Sequence, residues 1–234
     1  MEKETLVEKS TEISKKEYEI TEEESSLDNK FISFLRCNNK NCREISIASG
    51  SVSVDSYDTC DCYPVCDHDC VQYERYVNYY KIEYLNPAVN IIEISNNIPN
   101  DIKILLKESF FLFWCSPSSA ANKVRGALEL IMDEQKIDSK KVNKKGEEYI
   151  LSLHSRLIEF GKVHGGKYEE LSKILIGIKW LLNAGSHKGE IDREDLLDAY
   201  DVLNHVLFEI FLRENQKLDV ADLSNKLKNK FSIR

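Results

Sequence analysis

No apolar run in the 234-residue chain is long enough to cross a membrane. The longest, residues 110–115, falls far short of the roughly 20 residues a bilayer needs. The N-terminus is acidic and has no apolar core of the kind a secretory signal carries. Together these absences predict a cytoplasmic protein without membrane partners. There is no HExxH, no GxxxxGK[ST], no Rossmann glycine fingerprint and no GxSxG. That removes the usual signatures of zinc proteases, P-loop nucleotide hydrolases, dinucleotide enzymes and α/β-hydrolases. A basic excess is missing too. The formal charge is −8, of which residues 1–29, with ten Asp/Glu and four Lys, hold −6 and the remainder −2. Composition alone therefore argues against a general nucleic-acid binder. Any RNA contact has to be local, in a patch or across a subunit interface.

Cysteine, by contrast, is concentrated. Of seven, six fall in one short segment: Cys37, Cys42, Cys60, Cys62, Cys66 and Cys70. In a cytoplasmic chain this points to metal rather than disulfides. Zinc takes four thiolate or imidazole ligands in a tetrahedron, and holding them together replaces the core that a small segment lacks. The expected cofactor is one structural Zn²⁺, bound by Cys37 and Cys42 with two of Cys62, Cys66 and Cys70; His68 is a further candidate. Reduced thiols without metal are the alternative. Cys115, beside Trp114 in an apolar stretch, reads as plain core.

Four regions are expected. Residues 1–29 read as an acidic, solvated tail. Residues 30–97 read as a small β-rich subdomain. Ile45 and Ile47 alternate with polar residues, Gly50 turns the chain, Val52 and Val54 alternate again, and two more strands span 76–85 and 89–94. Residues 98–214 read as a helical bundle. Asn100 or Asp101 caps its first helix, and Ser116-Pro117 starts the second. A polar link follows at 138–145, then a third helix over about 147–162, and Asp192 caps the fifth. Residues 215–234 hold a last short helix. The predicted class is mainly α, a bundle preceded by a zinc-ribbon-like subdomain.

The most telling stretch is LSKILIGIKWLLNAGSH, residues 171–187. Lys179, Asn183 and His187 stand four apart, so one continuous helix puts a cation, an amide and an imidazole on one face. Such a row can hold a phosphate and move a proton. His187 is its only candidate base, and histidine's ordinary pKa suits that work. Earlier, SAANKVRGALE (119–129) sets Arg125 and Glu129 one turn apart among small residues that admit a close neighbour helix. In the simplest account Glu129 pairs with Arg125, and His187 hydrogen-bonds locally without chemistry.

These two segments together resemble a bacterial HEPN-like family, a domain of unknown function common near restriction and phage-defence genes and often preceded by a zinc ribbon. Its pattern is an Ala-rich Arg-x-x-Leu-Glu helix followed by Arg-x3-Asn-x3-His. Arg125, Leu128, Glu129, Asn183 and His187 match, as does Pro99 before the first helix. Lys179 stands where the family has Arg, and Leu182 stands where HEPN ribonucleases place an Arg. The resemblance implies a HEPN-like bundle acting as a homodimer in antiviral defence. It would bind RNA or a partner protein. As a metal-independent endoribonuclease, His187 would deprotonate a ribose 2′-OH, Asn183 would orient it, and Lys179, Lys188 and Arg125 would hold the phosphate. Two further readings stand beside it: a non-catalytic adaptor that binds nucleic acid or protein, and a regulator whose acidic tail occupies a basic site.

Overall fold

The computed structural model describes residues 2–22, 28–60, 72–188 and 191–213. The chain divides into two compact units, Met1–Ala88 and Val89–Arg234.

The first unit is an antiparallel meander of four strands in the order β1 (Glu2–Ser10), β2 (Asn29–Arg36), β3 (Ile45–Cys60) and β4 (Gln72–Asn86). Residues 2–10 and 12–21, expected in the acidic tail, therefore form a strand and a helix. Leu6 and Val7 pair with Ser33 and Ile32, which makes β1 an edge strand of the sheet. A short helix, α1 (Glu12–Thr21), follows, with the Thr11 hydroxyl accepting from the Ser14 N–H at 3.3 Å as its N-cap. The charged residues around Leu6-Val7 mask the apolar pair that β1 brings to the sheet.

Gly50 does not turn the chain. β3 runs straight through it for 16 residues, and a β-bulge opposite shifts the register between Ser49 and Gly50. A Cβ at Gly50 would lie 1.9 Å from the Lys81 carbonyl oxygen, so only glycine lets β4 approach. One sheet face carries the buried Phe31, Ala48, Val52 and Leu85, with Phe31 edge-on to Tyr80 at 5.3 Å. Residues 89–94 form no strand, although Ile92 is buried.

The second unit holds α2 (Asn100–Cys115), α3 (Pro117–Glu134), α4 (Leu153–His164), α5 (Lys167–Lys188) and α6 (Arg193–Leu207), which ends in a π-helical turn over Phe208–Leu212. Pro117 occupies the first helical position of α3, as expected, but the Ser116 hydroxyl bonds Ser119 rather than capping the helix. Pro99, not Asn100 or Asp101, is the N-cap of α2. Asp192 does cap α6, accepting from the Asp195 N–H at 2.8 Å. The 138–145 link and the start of the third expected helix become a two-stranded hairpin, β5 (Lys140–Val142) and β6 (Glu148–Ile150). Asn143 nucleates its turn by accepting from the Lys145 and Glu147 N–H groups at 2.8 and 3.0 Å.

The small residues of α3 explain its central place. Ala120, Ala121, Val124, Ala127 and Leu128 are wholly buried, and α3 packs on α2, α4, α5 and α6. From α6, Tyr200 reaches into this core and donates to the Ser109 hydroxyl at 2.9 Å. Burial pushes its phenol pKa well up, against the opposing effect of that hydrogen bond. The whole chain is thus mixed rather than mainly α: a substantial sheet, then a helical region. The expected helix at 215–234 lies outside the described residues. No described helix is long and apolar enough to cross a membrane.

Candidate nucleic-acid interface

α5 continues unbroken to Lys188, so Lys179, Asn183 and His187 follow one another at about 6 Å of rise on one helical face. The described side chains of α5 end at Asn183; those of His187 and Lys188 lie outside.

Across from this face, α3 presents Arg125. Its guanidinium Nη1 donates to Asn183 Oδ1 at 3.5 Å, joining residues 58 positions apart. Arg125 is exposed and Asn183 half-buried, so the pair opens to solvent. α3 and α5 pack against each other, and Ala121, Val124 and Leu128 of α3 and Leu175, Ile178 and Leu182 of α5 are all buried. Leu182 is part of this core, 1% exposed.

Lys179 is only 9% exposed, and its ammonium lies over the ring of its neighbour Trp180, 3.8 Å from the centroid. A desolvated cation–π contact of this kind is worth about 2 kcal/mol. Trp180 itself is 57% exposed, and His154 of α4 tilts against it with ring centroids 5.9 Å apart. The His154 Nδ1 is buried without a hydrogen-bond partner. Neither residue stands out as a site residue in the sequence. The signal for Trp180 was present, since it sits beside Lys179 on α5 outside the apolar stripe. His154 gave none.

Glu129 does not pair with Arg125. Its carboxylate accepts from Arg156 Nη1 at 2.8 Å. Arg156, 2% exposed on α4, also donates to Asp133 at 2.5 Å and to the Ile137 carbonyl at 2.7 Å. Glu129 and Asp133, one turn apart on α3, form a two-carboxylate clamp that fixes α4. A cation in the apolar Leu153–Leu157–Phe160 stripe was the signal for it. With Glu129 occupied there, Arg125 keeps its guanidinium for Asn183 or a ligand.

Cys37 and Cys42 flank the β2–β3 connection, where the Cys37 N–H bonds the Glu44 carbonyl and the Cys42 N–H that of Asn39. Cys62, Cys66 and Cys70 lie outside the described residues, as does His68. Cys60 and Gln72 pair at the far end of β3 from Ile45. Among the described residues, no group of three or more His, Cys, Asp or Glu is arranged to hold a metal.

No curated protein and no solved structure matches the chain significantly. Residues 107–230, from the second turn of α2 onward, match the DUF4145 domain of unknown function. That match takes in α3, α5 and the Arg125–Asn183 pair, leaves the sheet outside, and covers more than half of the sequence; the protein belongs to the DUF4145 family.

Proposed function

We propose that the helical unit is a HEPN-like, non-catalytic RNA-binding module, acting as a homodimer in antiviral defence. The observation that carries this reading is the approach of Arg125 to Asn183 from two different helices, at the place where the two sequence motifs were expected to converge. A guanidinium held by an amide at a solvent-facing seam offers paired donors to a phosphate.

Three features favour binding over cleavage. Lys179 takes the position of the family's Arg and its charge is directed onto Trp180, away from open solvent. Leu182 is core, so no second Arg is supplied there. The near-neutral charge outside residues 1–29 limits how many phosphates the chain can hold. Exposed Trp180 adds a ring on which a base can stack.

The competing reading is the metal-independent endoribonuclease with His187 as general base. Incubating purified protein with RNA in chelator separates the two. Binding without cleavage, weakened by Arg125→Ala and retained in His187→Ala, is the expected result. Cleavage leaving 2′,3′-cyclic phosphate ends, abolished by His187→Ala, would replace this proposal with the enzyme. Absence of RNA binding would remove both.

A further inference from the structure

The face of the sheet opposite Phe31, Ala48 and Leu85 carries apolar residues of its own. On it the register aligns successive cross-strand rows. Val7, Ile32, Ser49 and Tyr84 form one row, and Phe34 with Ile47 forms the next. All the large apolar residues here are exposed, Phe34 at 43% and Tyr84 at 38%. An apolar face alone would fit many partners. What distinguishes this one is the adjoining row, where Lys9, Lys30 and Lys81 are aligned through Ser51, whose hydroxyl donates to the Glu83 carboxylate at 2.8 Å and so leaves three cations against one acid there. The row crosses all four strands, about 14 Å at the usual strand spacing. Lys9 and Lys30 sit directly opposite each other, an arrangement that destabilises a sheet unless an anion lies between them. Asp28 meets Lys30 from the edge at 3.4 Å, and neither Lys9 nor Lys81 has an ion-pair partner among the described residues. Beyond the lysines, Tyr79 opposite Ser53 is 56% exposed.

Phe34, Tyr84 and Tyr79 therefore flank a line of cations. Tyr79 stands two residues, about 7 Å, from Lys81 along β4 on the same face. Rings that stack on bases, cations that take phosphates, and the hydroxyls of Ser49 and Ser53 that can meet ribose 2′-OH groups are the parts of a single-strand platform. We propose that this sheet face binds single-stranded RNA. The site is independent of Arg125 and Asn183 and lies outside the matched family region.

The test is fluorescence anisotropy of the full chain with a labelled 12-nucleotide oligo(U), across a salt series. Phe34→Ala and Tyr84→Ala are each expected to weaken binding by roughly 5- to 100-fold, and Phe34→Tyr to restore it. The triple variant Lys9→Ala, Lys30→Ala, Lys81→Ala should flatten the slope of log K against log[salt] by about 2. Circular dichroism of each variant confirms the fold, which surface substitutions leave intact. Arg125→Ala should keep the sheet-dependent part of the affinity, so failure of either site is seen separately. Unchanged affinity and salt slope in the sheet variants would overturn the proposal. So would equal binding of duplex RNA, whose bases are closed to stacking, or of oligo(dT), which lacks the 2′-OH. Loss of self-association without loss of RNA binding would assign the face to a second copy of the chain instead.

Discussion

Replacing Arg156 with Ala removes the guanidinium that ties α4 to α3. The side chain makes hydrogen bonds to Glu129 Oε2 at 2.8 Å, Asp133 Oδ1 at 2.5 Å, the Ile137 carbonyl at 2.7 Å and the Glu129 carbonyl at 3.3 Å. Breaking a fully buried ion pair costs about 3–5 kcal/mol. Here the carboxylates are 36% and 55% exposed and regain water when the partner leaves, which lowers the cost. The Ile137 carbonyl recovers less, because Ile137 is 3% exposed. We expect a loss of about 2–4 kcal/mol, or a fall in Tm of roughly 5–12 °C for a chain of this size. Urea and thermal unfolding followed by circular dichroism measure it. A double-mutant cycle sharpens the test: Glu129 should couple to Arg156 by about 1–3 kcal/mol and to Arg125 by almost nothing. A loss below about 1 kcal/mol, or strong coupling of Glu129 to Arg125, would refute this account of the clamp.

Gly50→Ala should destabilise the sheet by about 1–3 kcal/mol or more, because the new methyl meets backbone on β4; urea unfolding reads it, and a neutral result would mean that the bulge adjusts freely. Burial of Glu209 raises its carboxyl pKa, but hydrogen bonds from Arg213 at 2.8 and 2.9 Å and the nearby Lys167 outweigh this and hold it below the ordinary 4.5. Its contribution to stability is therefore full above pH 4.5 and lost as pH falls through the lowered value. Glu209→Gln should lose stability at pH 7 and show a shallower acid limb, whereas an identical pH profile would contradict the pairing. Purified protein is expected to contain zinc, and Cys37→Ser with Cys42→Ser should lower its metal content; unchanged metal in that variant would remove these two cysteines from the ligand set.

Helix periodicity carried most of what was legible. The apolar stripe of α6, from Leu196 through Tyr200, Leu203 and Leu207 to Phe211, is buried as its spacing required. The small residues of α3 did announce a close neighbour, and the meeting of Arg125 with Asn183 follows from it. Long-range partners were less legible. Glu129 has a ready intrahelical partner in Arg125, and only the three-dimensional arrangement brings Arg156, 27 positions away, within reach of its carboxylate. In the sheet, local cues misled where tertiary pairing overrode them. Gly50 looks like a turn residue but serves a close backbone approach, and Glu and Lys in β1 hide the alternation that places Leu6 and Val7 on opposite faces.

The most direct measurement of the central claim is the RNA affinity of wild type, Arg125→Ala, Asn183→Ala and the double variant. If the two helices build one phosphate site, each single change should weaken binding about tenfold, and the double change should be no worse than the larger single loss within about a factor of two. Losses that multiply, or affinity that ignores both residues, would contradict a shared site.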